Sequence, residues 1–326
     1  MKFKDSLSEE YRDDFLESCE NDLTAVLDHF DPSKTKSYPY KLKKPLKTYI
    51  NLLDKNNCLT SERKKSIEEK FKENLSPSKF NHYSVREICK DHQYDIEDCI
   101  LIILTWGQIR PSPTTLVLAW KSLNSPNIKR FLENIRSGKE NDRKQIYRRF
   151  ADYRHSGDLK GIDTAYFTKL IYFLLNQDEK GYILDQFTAR SSNILLRRNI
   201  IHINENGTVT SKQNDAEVYE KYCQFIEDLA IYLDDYFRER LEERDAKIEP
   251  EHAEIFIFYN NEKKDSSGWR SKAAKIFEEK NIFKHIKTLR SNKYNYFVFP
   301  QNLPRKCPPS QWRLEPQGHR SSYQSR

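Results

Sequence analysis

The sequence predicts a mainly α-helical protein, and three observations carry that prediction. Long, charge-rich segments repeat apolar residues at i, i+3, i+4 and i+7, the spacing of one helix face. Helix signals recur around them: Ser-Pro pairs and Thr or Asp at N-cap positions, with glycine just past an end. Glycine is otherwise scarce, at 8 of 326 residues. No glycine-rich loop of the Rossmann or P-loop kind is present. The length suits one large or two ordinary domains with a sizeable core.

The elements follow in order. A first helix is predicted from about Glu9 to Phe30, and three prolines in "DPSKTKSYPYKLKKP" break it. A second helical stretch, "TSERKKSIEEKFKENL", is capped by Thr60 or Ser61. "SPSKFNHY" reads as a loop and a subdomain boundary. The segment "DIEDCILIILTWG" is apolar almost all round, so its helix is buried. "SPTTLVLAWKSL" and "SPNIKRFLENIRS" both start with proline near N1, and "KENDRKQIYRRFADYRHSG" is a basic helix ended by glycine. "NIIHINENGTVTSKQN" is a hairpin-like or loop segment with Asn206-Gly207 at its tip. A long helix from about Asp215 to Arg244 carries Tyr219, Tyr222, Phe225, Ile226, Leu229, Leu233 and Tyr236 on one stripe. "PEHAEIFIFYNN" is a short helix, "YNYFVF" a strand or apolar clasp, and the chain from Pro300 a basic, flexible tail.

Charge and cysteine usage narrow the function classes. The net charge is +7, from 56 Lys and Arg against 49 Asp and Glu. Residues 263–326 hold 15 basic and 4 acidic residues, +11, and the rest holds 41 and 45, or −4. A polyanion-binding face and a solubilising tail both fit that asymmetry. The cysteines are Cys19, Cys58, Cys89, Cys99, Cys223 and Cys307. They form no CxxC and no metal-ligand spacing with histidine, and His155, His202 and His285 show no ligand spacing either. Reduced thiols and no metal site are expected. No run of about 18 apolar residues occurs, and "MKFKDSLSEEYRDDF" lacks an apolar signal region. A cytoplasmic protein without membrane segments is the expectation.

The centre of the chain holds the most informative stretch, "KGIDTAYFTKLIYFLLNQDEKGYILDQFTARSSNILLRR", residues 160–198. Phe167, Leu170, Ile171 and Leu174 place one face of a helix in the core. The turn before it contains Gly161, free to take φ > 0. The amides that follow Gly161 open a helix and attract phosphate, with Lys160 beside them. The next helix starts at Asp185, an N-cap-competent residue 24 positions after Gly161. Its exposed face is expected to carry Arg190, Arg197 and Arg198. On these residues alone Asp185 reads first as an N-cap, worth about 1 kcal/mol.

Residues 159–187 also resemble the helix–hairpin–helix and following loop of the helix–hairpin–helix DNA glycosylases, in particular the prokaryotic 8-oxoguanine DNA glycosylase-like proteins. "AYFTKLIYFL" followed by "YILDQF" is the matching pair of motifs. A weaker similarity runs through "ILTWG" and "YEKYCQFIEDLA", and leaves out the first 80 residues and the basic C-terminus. The resemblance implies glycosylase-like helical domains with a basic C-terminal extension: an N-terminal segment 1–80, a core 81–262 and the extension 263–326. It implies a hairpin that grips the DNA backbone, which brings in Lys160, Gly161 and Thr164, with Arg190, Arg197 and Arg198 as further DNA contacts. It makes Asp185 catalytic. Two departures stand out. The second glycine of the family hairpin is Asp163 here, an acid that opposes phosphate unless it turns back to cap its own helix. The nucleophilic lysine of bifunctional members aligns with Ala165. Lys169, one turn on, is either a nucleophile reaching back or a structural or DNA-contacting lysine.

The implied activity is hydrolysis of an N-glycosidic bond in double-stranded DNA, releasing a modified base and leaving an abasic site. The resemblance names 8-oxoguanine; a bulky phage base such as glucosylated hydroxymethylcytosine is the other substrate considered. A carboxylate suits this chemistry because the sugar passes through an oxocarbenium-like state. It stabilises that cation and orients or deprotonates the attacking water. A monofunctional monomer with no cofactor is expected. The flipped base needs a pocket, for which Trp106, Gln108 and Tyr166 are the candidates, with Tyr172 behind them. The rival readings are a DNA-binding protein that uses the hairpin only as a clamp, and a helical scaffold with a solubilising tail.

Overall fold

The computed structural model describes residues 3–30, 44–72, 82–175, 180–240, 247–258 and 268–279. These residues all belong to one compact unit, Met1–Lys280. "YNYFVF", the tail from Pro300, His285, Cys307 and most of the proline-rich break lie outside the described residues. All regular structure among the described residues is helical, as the periodicity predicts.

Among the described residues before His82, three α-helices follow a short 3-10 turn at Phe3–Ser6. Helix α1 (Glu9–Phe30) opens with Glu9 and Glu10, negative charges at the positive end of the helix dipole. Pro45, the last proline of the break, caps α2 (Leu46–Lys55), a helix that the sequence reading did not anticipate. Leu46, Tyr49, Ile50 and Leu53 bury one face of it. In α3 (Ser61–Lys70) the N-cap is Thr60, whose hydroxyl accepts from the Arg63 amide at 3.1 Å.

Helix α4 (His82–Lys90) begins inside the segment expected to be a loop. His82, Val85, Ile88 and Cys89 are buried along one face, which is what makes it a helix. Helix α5 (Ile96–Trp106) is buried everywhere except Glu97, and Asp95 and Asp98 close a capping box at its start. One π turn, Pro113–Val117, runs directly into α6 (Leu118–Leu123). Helix α7 (Pro126–Arg136) starts on proline, and α8 (Arg143–Ser156) ends at Gly157 with φ 84°.

The remaining helices are α9 (Thr164–Leu174), α10 (Gln186–Leu195), α11 (Ala216–Arg240) and α12 (Pro250–Phe258). A further helical segment, 269–279, is here called α13. Residues 199–214 form a loop rather than paired strands. Its tip closes with the Gly207 amide on Asn204 O (2.8 Å) and the Asn204 amide on Thr208 O (3.0 Å).

The core surrounds α9, which packs against α4, α5, α7 and α8, while α11 lies along α8 and α12. Phe150 stacks on Phe167 at 5.5 Å and Tyr147 on Tyr219 at 4.5 Å, tying α8 to α9 and α11. The N-terminal helices are clipped to α5. Arg63 donates to Asp95 and Asp98 (2.7 and 2.9 Å), Lys70 to Asp98 (2.7 Å), and the Tyr49 hydroxyl to Ile109 O (3.0 Å). No helix among the described residues is long and apolar enough to cross a membrane.

Candidate active site

The turn between α8 and α9 is anchored by Leu159 and Ile162, both buried. Gly161 adopts φ 80°, and a Cβ there would meet Thr115 O at 2.4 Å and Ala119 N at 2.7 Å. Glycine is required twice over, by conformation and by space. The Lys160 amide donates to Ser122 Oγ at 3.0 Å while its side chain is exposed. The turn is thereby pressed onto α6 with Lys160 outermost.

Asp163 turns inward rather than toward an approaching phosphate. Its Oδ1 accepts the amides of Thr164 (2.8 Å) and Ser211 (2.9 Å), and Oδ2 accepts Arg154 Nε (3.2 Å). Burial alone would push its carboxyl up, but those amides and the Arg154 guanidinium hold it below the usual range. Thr164 is fully buried with its amide given to Asp163, so it presents nothing to DNA, unlike the sequence expectation.

Asp185 is placed by the segment before it. Residues 180–185 are extended and fastened on three sides. The Tyr222 hydroxyl donates to Ile183 O (2.8 Å), the Leu184 amide to Thr168 Oγ1 (3.1 Å), and the Ile183 amide to the Glu254 carboxyl. Tyr219 brackets Tyr182, donating to its carbonyl (3.0 Å) and accepting its amide (3.1 Å). At the end of this segment Asp185 caps α10. Its Oδ1 accepts the amides of Phe187 (2.8 Å) and Thr188 (3.1 Å), and Thr188 Oγ1 returns an acceptor to the Asp185 amide (3.0 Å). Both caps use Oδ1. Oδ2 enters no hydrogen bond among the described residues, in a side chain 9% exposed. The N-cap reading is therefore correct as far as it goes, and it leaves one carboxylate oxygen over.

Lys169 points back along α9, with Nζ on Ala165 O at 2.8 Å and 5.2 Å from the Tyr166 ring centre. Burial pushes its pKa down, and the nearby charges of Asp185 and Glu254 oppose that. A small cavity opens beside it, walled by Trp106, His82, Ile183, Thr188, Glu254 and Phe258. Trp106, 5% exposed, is held edge-on to His82 (4.4 Å) and Phe173 (4.9 Å). The Tyr166 hydroxyl donates to Gly107 O (3.3 Å). A Cβ on Gly107 would come within 3.0 Å of the Lys169 side chain and 3.2 Å of the Tyr166 ring, so glycine here makes room for the lysine. Gln108 has φ 52°, and both ends of its amide are engaged: Nε2 with Thr105 O (2.8 Å), Oε1 with the Lys44 amide (3.1 Å). Lys169 thus links these residues, with Trp106 across the cavity, Tyr166 against its side chain and Asp185 near enough for its charge to act on it, while Gln108 is turned to the chain itself.

The three arginines separate. Arg190 lies against the Gly207 turn and 5.0 Å from the Phe277 ring centre, and its buried Nε has no hydrogen-bond partner among the described residues. Arg197 and Arg198 are exposed but sit past Leu195, the last residue of α10, rather than on its face; Arg197 has φ 49°. Several residues of the site escaped the sequence reading. Glu254 and Phe258 come from α12 and His82 from α4. Arg270 of α13 lays its guanidinium 3.5 Å from the Phe187 ring centre, two residues past Asp185. A carboxylate inside the apolar run "EIFIF" was the available signal for Glu254.

The arrangement is that of an all-helical protein with a carboxylate and a lysine meeting at an aromatic-walled cavity. The model of the family described as "Putative 8-oxoguanine DNA glycosylase OGG-like protein" matches residues 82–258, more than half of the chain, and the chain belongs to that family. The match begins on the first residue of α4 and ends on the last of α12. No curated protein and no solved structure matches the chain.

Proposed function

We propose that the protein is a DNA glycosylase that flips a modified base out of double-stranded DNA and hydrolyses its N-glycosidic bond. The observation that carries this reading is the free Oδ2 of Asp185, held rigidly at a helix start beside a cavity in a member of a glycosylase family. The helix spends one oxygen on capping, and the other is available to a developing sugar cation. Asp185 stabilises the oxocarbenium-like sugar and takes the proton of the attacking water. Lys160, Gly161 and the amides after it meet the DNA backbone, with Arg197 and Arg198 as exposed cations further along.

The enzyme works as a monofunctional hydrolase, because Ala165 stands where a nucleophilic lysine would and Lys169 spends Nζ on the Ala165 carbonyl. The flipped base is read where Trp106 walls the small cavity and Tyr166 lies against Lys169 beside it. The family description suggests 8-oxoguanine as the base; glucosylated hydroxymethylcytosine of phage DNA is the bulkier alternative, with a role in defence rather than repair. Incubation with duplexes carrying each base, and with whole phage genomes, followed by mass spectrometry of released bases, tests the activity and chooses the substrate. Asp185→Asn keeps an oxygen to cap α10 but loses the charge. Its expected behaviour is unchanged folding and DNA affinity with base release slowed by at least ~10²-fold. Undiminished release by that variant would show Asp185 to be a cap and nothing more.

A further inference from the structure

Glu254 is the acidic side chain on the wall of the cavity beside Lys169. It is 3% exposed, and no cation pairs with it among the described residues. The cations that feel its charge are engaged elsewhere: Arg86 binds Glu251 (3.2 Å), and Lys169 binds a backbone carbonyl. Only one of its oxygens is engaged. Oε1 accepts the Ile183 amide and takes at most a minor share of the Tyr222 proton (3.4 Å), which goes mainly to Ile183 O, and no hydrogen bond reaches Oε2 among the described residues. An unpaired carboxylate in such a place costs several kcal/mol, and the group avoids that by keeping its proton. Burial does most of this. The neighbouring charges of Glu251 and Asp185 add to it against the Ile183 amide, and the pKa is pushed up to about 8. Since Oε1 is taken as an acceptor, the proton resides on Oε2.

We propose that Glu254 is the acid of the excision reaction, giving its Oε2 proton to the base as it departs. This rests on the glycosylase reading above and divides the chemistry between two carboxyl groups. As the bond from C1′ to the base nitrogen breaks, its electron pair stays on the base. The base gains the proton from Oε2, leaving Glu254 as a carboxylate. Water then attacks C1′ and yields a proton to Asp185. Asp185 returns that proton to solvent, and solvent reprotonates Glu254. The base must present an acceptor, a ring nitrogen or a carbonyl oxygen, to the α12 side of the cavity. Glu254 suits the role of acid because it is buried on the cavity wall without a cation to pair with among the described residues.

Two measurements test the assignment, the first without DNA. Infrared difference spectra of the wild type and Glu254→Gln, recorded from about pH 6 to about pH 9, isolate the protonated carboxyl. The expected result is a band in the wild type that is absent from the variant and fades as pH rises through about 8. The pH-difference spectrum of the wild type alone gives the same reading if the variant is unstable. Absence of a protonated carboxyl at neutral pH overturns the proposal whatever the activity. The second measurement is single-turnover base release from whichever modified duplex the wild type cleaves. Glu254→Gln retains the oxygen that holds the Ile183 amide, so melting temperature and duplex affinity should stay unchanged while release slows by ~10²-fold or more. Equal rates would leave the glycosylase reading standing and remove Glu254 from the chemistry. A wild type that releases no base from any duplex overturns both.

Discussion

Lys169 is the residue whose role is most exposed to experiment. It lies one turn beyond Ala165 and is buried, and burial lowers its pKa, so that a larger share of it is the nucleophilic free amine. Against a Schiff-base role stand the bond from Nζ to Ala165 O and the lysine's place over the Tyr166 ring. Borohydride should therefore fail to trap the protein on substrate DNA. A covalent adduct that vanishes in Lys169→Ala would assign lyase chemistry to this lysine. The resemblance singled out Asp185 and Lys169 from a helix start and the helix before it, which are local features of the sequence. It missed Glu254 and Arg270, which reach the site from α12 and α13 through tertiary packing that no spacing rule encodes. The partners of Gln108, Thr105 O and the Lys44 amide, likewise become apparent only in the folded chain.

At the scale of elements, the turn between α8 and α9 is the piece most dependent on one residue. Gly161→Ala must force φ 80° on an alanine and place a methyl group against the backbone of Thr115 and Ala119. The conformational penalty and the overpacking together should cost about 2–4 kcal/mol. Because the strain bears on the contact between this turn and α6, DNA affinity should fall as well, even where the fold survives at low temperature. Thermal melting and duplex titration measure the two effects separately. An unchanged melting temperature would mean that the turn and α6 can move apart freely.

Element boundaries were legible where the local signal was strong. Proline at N1 of α7, Gly157 closing α8 and the capping Asp185 of α10 all appear where the sequence puts them. Helix α2 was hidden by the prolines just before it, although Leu46, Tyr49, Ile50 and Leu53 carry a full helical face. Pro45 turned out to be its N-cap rather than the close of a loop. In α4 the apolar face is short and starts on a histidine, so hydropathy understates it.

On the scale of the whole molecule, the described helices of the N-terminal third are bound into the region of the family match. Asp98 is wholly buried and takes charge-assisted bonds from Arg63 and Lys70 of α3, and Tyr49 of α2 reaches the loop after α5. The charge of the chain is divided quite differently. Residues 263–326 carry +11 and the remainder −4, so the long-range attraction to DNA should come disproportionately from the C-terminal fifth. Within that stretch, α13 joins the site through Arg270 and the core through Trp269, which is 1% exposed. A cut inside 263–279 would therefore confound folding with binding. Truncation after Phe299 spares α13 and still removes Arg305, Lys306, Arg313, Arg320 and Arg326. Each phosphate contact contributes about 0.9 to the slope of log affinity against log salt. Loss of even ~3 contacts would flatten the slope by nearly 3. The truncated protein should bind DNA more weakly at physiological salt, with that shallower slope, and should excise almost normally at low salt and saturating enzyme. An unchanged slope would show that residues 300–326 do not touch DNA. Normal folding and binding with lost excision would place part of the chemistry in that segment and overturn the assignment of all of it to the helical unit.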